Sequence, residues 1–214
     1  MDSRKQKRIQ YNQSCILDAA KALFQEYGVA GTTVDDIAYA ADCSKATIYV
    51  YFKNKDDIYY HIVYERMNSL CESVRRCFSD TMDYEKAYYS LCDILAQFEK
   101  EYPMYFEFVT GNTSIAPEII EELPILKSIF DSGEELNKIV CAFLGMAKRN
   151  KFIRADINPF QATFVMWSSI CGWILFCSGK QNYMNSSLSL PREALLRKGF
   201  SMILKMVRNE NYQE

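Results

Sequence analysis

TTVDDIAYAADCSKATIYVYFKNK, residues Thr32 to Lys55, decides the fold, because it reads as two short helices joined by a tight turn. Thr33 and Asp36 make a threonine-x-x-acid pattern, in which the hydroxyl satisfies free N–H groups of a first helical turn and the acid reaches back to the cap. Val34, Ile37, Ala38 and Ala41 then share one face. The chain must bend at Asp42-Cys43, where aspartate tolerates a left-handed backbone better than most residues other than glycine. Ser44 caps the next helix. Ile48 and Phe52, four apart, anchor that helix inward, which leaves Lys45, Ala46, Thr47, Tyr49 and Tyr51 to face outward. Such a face suits a DNA groove, the alternative being a small three-helix packing unit with no further task.

Reading outward, Ile16-Leu17-Asp18-Ala19-Ala20, Leu23-Phe24, Tyr27-Gly28, Thr32-Thr33-Val34, Ile37-Ala38 and Ala41 are followed by Ser44-Lys45, Thr47-Ile48-Tyr49, Tyr51-Phe52, Lys55 and Ile58. This ordered run, from about Ile16 to Ile58, resembles the TetR-type family of bacterial transcriptional regulators. The departures are Asp42 and Ala46, where the family usually has glycine, and Val50, where it often has a polar or basic residue. They bear on the target sequence more than on the fold.

The resemblance implies an all-α chain: an N-terminal arm and three-helix helix-turn-helix domain over residues 1–53, followed by a larger helical ligand-binding and dimerisation domain over 54–214. It implies a homodimer through the last two helices, 159–178 and 191–209, placing two reading helices on a double-stranded, palindromic DNA operator. Thr33, Ser44, Lys45, Ala46, Thr47, Tyr49, Tyr51 and Lys55 are the candidate DNA-binding residues. Lys45, Thr47 and Tyr49 are expected near bases or backbone, and Thr33, Tyr51 and Lys55 on phosphates. A repressor is expected, in which binding of a small apolar or aromatic effector by the second domain lowers DNA affinity and releases the operator.

Composition fits a compact protein, since 214 residues with 49% apolar content can build both parts. The start, MDSRKQKRIQ, is polar and basic with no apolar run behind it, so it reads as neither a signal peptide nor a span, and a cytoplasmic protein is expected. Phe164 to Cys177 is the longest apolar stretch, about fourteen residues against roughly 20 for a bilayer, and reads as a buried helix with no membrane role. Net charge is −2, yet Arg4, Lys5, Lys7 and Arg8 cluster at the start as a basic arm, either a phosphate contact or a solubilising tail.

Eight cysteines without a Cys-x-x-Cys pair read as reduced thiols, and His61 is the only histidine, so neither a metal site nor a cofactor is expected. There is no phosphate-binding glycine loop and no zinc-binding helix motif, which leaves catalysis without supports. A ligand-binding or protein-interaction module of the same fold without specific DNA binding is the competing function.

Elsewhere the pattern predicts helices over Lys7–Tyr27, from Asn54 to as far as Ser79, and over Tyr84–Tyr102, Met104–Thr110, Pro117–Ser132, Glu134–Asn150, Asn158–Ser178 and Pro191–Asn209, with Gly133 in a break. The 180–190 stretch reads as a polar loop. Aromatics crowd the region of Tyr84, Tyr88, Tyr89, Phe98, Tyr102, Tyr105, Phe106 and Phe108. Phe98, Tyr102, Tyr105, Phe106, Phe143 and Trp167 are the candidates to line a cavity for a flat apolar or aromatic ligand, with core packing the alternative for each ring.

Overall fold

The computed structural model describes residues 3–78, 83–110, 117–180 and 190–212; the expected loop over 180–190 falls almost wholly outside them. Among the described residues there are α-helices and no strand. They are α1 Ser3–Tyr27, α2 Val34–Ala40, α3 Lys45–Tyr51, α4 Lys55–Arg76, α5 Tyr84–Glu101, α6 Phe106–Thr110, α7 Pro117–Glu122, α8 Pro124–Arg149, α9 Pro159–Gly179 and α10 Arg192–Lys205, with a 3₁₀ turn at Pro103–Tyr105 before α6. The all-α organisation read from the sequence is what the chain adopts. The helices group into two compact units: the residues up to Arg66 with those of α7 and α8 up to Phe130, and the remaining described residues.

In the first unit α1 stops where the sequence predicts, at Gly28, whose φ of +73° no side chain would favour. Its start differs from expectation. Arg4, Lys5, Lys7 and Arg8 are exposed but lie in the first turns of α1 and do not form an arm ahead of it, because Arg, Lys and Gln are good helix formers and extend the helix toward the terminus. The core is small and apolar: Ile16, Ala20 and Phe24 of α1, Ile37 of α2, Ile48 of α3, and Phe52, Ile58 and Ile62 are each at most 2% exposed. At about 25 cal/mol per Å² of apolar surface, each buried Ile or Phe favours the packed state by roughly 1.5–3 kcal/mol.

The second unit is built on longer helices. Tyr88 of α5, fully buried, donates its hydroxyl to the Phe200 carbonyl at 2.8 Å, and burial raises that phenol far above its ordinary pKa. The Arg192 guanidinium meets Glu99 at 2.8 Å with little of either side chain exposed, and also reaches the Ser178 hydroxyl at 3.2 Å. All eight cysteines are free thiols; burial pushes Cys171 up to about 12, which leaves it un-ionised at neutral pH.

Besides the start of α1, α4 ends at Arg76, short of Ser79, the expected Met104–Thr110 helix is a 3₁₀ turn over Pro103–Tyr105 followed by α6, and two further boundaries differ for reasons the structure shows. The break expected at Gly133 lies instead between Glu122 and Pro124, and α8 runs through Gly133 without interruption. The reason is one of magnitude: glycine inside a helix costs about 1 kcal/mol, whereas proline lacks the N–H and costs about 3, so Pro124 ends one helix and starts the next. The last helix stops at Lys205 and not at Asn209, because Val207 and Asn209 turn to pair with Arg154 and Phe152, each through a 2.9 Å backbone bond.

Helix α9 is 21 residues long, so the fourteen-residue apolar run understates it; by length and composition alone this helix could cross a bilayer. Its inner stripe, Ala162, Thr163, Met166, Ile170, Cys171, Ile174 and Cys177, is buried, and α5, α6 and α10 pack against the helix. One face remains uncovered. Phe164, Val165, Ser168, Gly172, Leu175 and Phe176 are exposed along it, and a Cβ built on Gly172 would meet nothing within 4 Å.

Candidate nucleic-acid interface

The α2–turn–α3 segment is set by three local devices. Thr33 and Asp36 form the expected capping box: the Asp36 N–H donates to Thr33 Oγ1 at 3.2 Å, and the Thr33 N–H and hydroxyl donate to Asp36 Oδ2 at 2.9 and 2.6 Å. Those donors hold the Asp36 carboxyl below its usual range. At the turn Asp42 has φ +49°, with its N–H on the Tyr39 carbonyl and the Cys43 N–H on the Ala38 carbonyl, 3.2 and 3.0 Å. This is a Schellman ending, with aspartate in the left-handed position that glycine usually fills. Ser44 then caps α3, accepting the Thr47 N–H at 3.1 Å.

These caps fix the orientation of α3. Ile48 and Phe52 are buried, while Lys45, Ala46, Tyr49 and Val50 are exposed to solvent. Lys45 extends its ammonium to Asp35 of α2 at 2.8 Å, and this partner raises it above the ordinary lysine range. Thr47 shares a 2.8 Å hydroxyl contact with Ser44. Thr33 and Ser44 are exposed, but their side-chain oxygens are spent on caps.

Two of the candidate residues have tertiary tasks. The Lys55 ammonium donates to the carbonyls of Val29 and Thr32 at 2.5 and 2.8 Å, so it clamps the α1–α2 connection to the start of α4. Tyr51 accepts a bond from Asn12 of α1 at 2.9 Å and is half-buried. Sequence spacing places both near the reading helix but is silent on partners 26 and 39 positions away. Two exposed residues escaped the sequence reading: Tyr39, 91% exposed, and Asp35, four residues before it on the outer face of α2. The signal was present, since both lie opposite the Val34, Ile37 and Ala38 stripe.

In the second unit Phe98, Tyr102, Tyr105 and Phe106 do come together, with ring centroids 5.4 Å apart for Phe98–Tyr102, 6.4 Å for Phe98–Phe106 and 6.5 Å for Tyr102–Tyr105. Phe98, Tyr105 and Phe106 are buried, so the rings fill the space between them. Trp167 donates its indole N–H to the Val109 carbonyl at 2.8 Å. Phe143 is stacked on Phe78 at 4.3 Å and leans on Tyr84. A cavity of about 470 Å³ has Glu99, Lys100, Ser178 and Arg192 in its wall, and another of about 560 Å³ has Ser73, Arg76, Asp83 and Lys86. None of the six candidate aromatics lines either one.

A capped helix pair with a Schellman turn, presenting the outer face of its second helix, has the geometry of a helix-turn-helix. The family model of bacterial regulatory proteins of the tetR family matches residues 16–62. The biofilm operon icaADBC HTH-type negative transcriptional regulator IcaR of Staphylococcus aureus is 37% identical over 182 residues, covering 78% of this chain and 85% of that protein. The chain therefore belongs to the TetR family of bacterial regulatory proteins. The fatty acid metabolism regulator protein of Bacillus subtilis is 30% identical over 142 residues, 66% of each chain. The match to the Staphylococcus epidermidis IcaR spans 59% of that relative. Among solved structures, the fatty acid degradation regulator FadR of Bacillus halodurans superposes with a TM-score of 0.68 at 16% identity, over 94% of this chain and 97% of that one. The SmeT–triclosan complex does so with a TM-score of 0.66 at 19% identity, over 94% and 93%.

Proposed function

We propose that this chain is a cytoplasmic repressor that binds a palindromic operator as a homodimer and releases it when a small apolar or aromatic effector binds the second domain. The single observation that carries the reading is the outward face of α3, where Lys45, Ala46, Thr47 and Tyr49 stand clear of the core that Ile48 and Phe52 anchor. Side chains of this kind present an amine, hydroxyls and an aromatic edge to base edges and phosphates of a major groove. Residues 1–53 would read DNA and 54–214, beginning with α4, would sense and dimerise. The negative regulation named for the Staphylococcus aureus relative supports repression, and the bound triclosan of SmeT supports an aromatic effector.

Dimerisation through α9 and α10 is supported by the uncovered face of α9 and by Met202 of α10, which is 70% exposed. Ser168 and Gly172 lie in the middle of that face, where small residues let a partner helix approach closely, with Phe164 and Val165 at one end and Leu175 and Phe176 at the other. Effector binding would favour a conformer with weaker operator affinity, and by linkage the operator would weaken effector binding equally. The aromatic group Phe98, Tyr102, Tyr105, Phe106 and Trp167 would have to part to admit the ligand, with Phe143 reached from its stack on Phe78.

The test is selection of binding sites from a random-sequence duplex pool. Enrichment of an inverted repeat is expected, as is loss of at least about a hundredfold in affinity when Lys45, Thr47 and Tyr49 are together replaced by Ala. Helical circular dichroism should stay unchanged in that variant. Absence of any salt-dependent DNA binding would leave only a ligand-binding or protein-interaction module. The effector arm is checked by titrating apolar aromatic compounds, triclosan among them, against the selected site, with weaker DNA binding as the expected response.

A further inference from the structure

Between Thr32 and Lys55 three acidic residues, Asp35, Asp36 and Asp42, balance three basic ones, Lys45, Lys53 and Lys55. A DNA-reading segment without net charge cannot draw phosphates by its overall field, so the partner of each cation matters. Lys55 is committed to two backbone carbonyls. Asp36 is committed to the capping box, and Asp42 stands at the turn in the left-handed conformation. Lys53 lies beyond the end of α3, whereas Asp35 of α2 and Lys45 of α3 meet at 2.8 Å across the α2–α3 junction with 69% and 48% of their side chains exposed. An ion pair so open to water contributes little to the stability of the fold. Its place on the outer face is what makes it consequential.

We propose that Asp35 is a positioning and specificity-determining residue of the DNA-reading face, holding Lys45 away from phosphates until a base-edge acceptor replaces the carboxylate. This rests on the DNA-binding reading of α3. Lys45 and Tyr49 are four apart on α3, and Asp35 and Tyr39 four apart on α2, so the ion pair joins two outward strips. On non-specific DNA the ammonium keeps its carboxylate, and that carboxylate also repels nearby phosphates. On a matched site the ammonium passes to an acceptor such as guanine O6 or N7, and Asp35 is left to accept from a donor such as a cytosine amine. Lysine is a flexible point charge with three donors, which suits it to exchanging partners in this way. The device weakens wrong sites more than right ones.

The experiment compares wild type, Asp35→Asn, Lys45→Ala and the double variant on the selected duplex and on an unrelated duplex of equal length, between 50 and 200 mM salt. With Asp35→Asn, Lys45 is freed for one more phosphate on the unrelated duplex. With one such contact in each subunit of the dimer, the salt slope there should steepen by about 1.8, equivalent to about a 12-fold greater loss of affinity across that range. The ratio of selected to unrelated affinity should fall, and the double variant should show the ratio of Lys45→Ala alone. An unchanged slope and ratio in Asp35→Asn overturns the inference, as do losses that simply multiply in the double variant. Wild type that fails to bind DNA at all would instead defeat the DNA-binding reading, and circular dichroism of each variant separates both results from misfolding.

Discussion

The outer face of α3 and the uncovered face of α9 both expose aromatic side chains, yet they ask for different partners. On α3, Tyr49 stands beside an amine and hydroxyls, with Lys45 already in an ion pair, so the face is wet and suited to a hydrated polyanion. On α9, Phe164, Val165, Leu175 and Phe176 flank small residues without a charged side chain on the strip, so the face suits an apolar partner, which in the proposed dimer is a second copy of this chain. The contrast shows that exposed rings carry no functional meaning by themselves; their polar neighbours decide it.

The largest effect expected from breaking this contrast is on α9. Gly172→Glu adds a charged side chain where the subunit itself has open space, so the fold should survive while the partner helix is kept out. Light scattering should show a monomer, and operator affinity should fall by about a hundredfold or more as two linked half-sites become independent. A dimer that persists would place the interface elsewhere.

The next effect sharpens the α3 side. Lys55→Met removes two charge-assisted bonds, to Val29 and Thr32, and should cost about 2–3 kcal/mol in a denaturant titration. Unchanged stability with a shallower salt slope would instead make Lys55 a phosphate contact. The smallest effect returns to the second unit. A Cβ on Gly199 would overlap the Trp173 indole, so Gly199→Ala should lower stability by about 1–2 kcal/mol despite alanine's better helix propensity, read as a lower melting temperature.

Local signals were readable wherever cause and consequence lie within one helical turn. The Thr33–Asp36 box, the Ser44 cap and the start of α9 at Asn158 follow from side chains acting on backbone groups two or three positions away, and the left-handed Asp42 and the stop at Gly28 follow from the backbone preferences of those residues themselves. The same reading misplaced the break at Gly133 because it weighed a glycine above the proline at 124. It also took Arg4 to Arg8 for an arm, although their propensity favours the helix they form.

The candidate site divides in the same way. Ala46 and Thr47 were legible because the helical period turns them away from Ile48 and Phe52, whereas Lys45, three positions before Ile48 and seven before Phe52, is exposed in the first turn of α3. The intramolecular bonds of Lys55 and Tyr51 were not legible, because their partners, Val29, Thr32 and Asn12, are remote in sequence. The aromatic group was foreseen as a set, but whether rings enclose space or fill it depends on their angles and distances.

By itself, then, the sequence determined the helical class, the helix-turn-helix and the face of α3, because periodicity and capping are short-range and each side chain carries its own preference. Only the tertiary structure decided that Lys55 is a clamp, that Asp35 holds Lys45, and that α9 keeps one face uncovered. Those outcomes depend on which distant groups packing brings within hydrogen-bond reach, and spacing along the chain does not encode that distance.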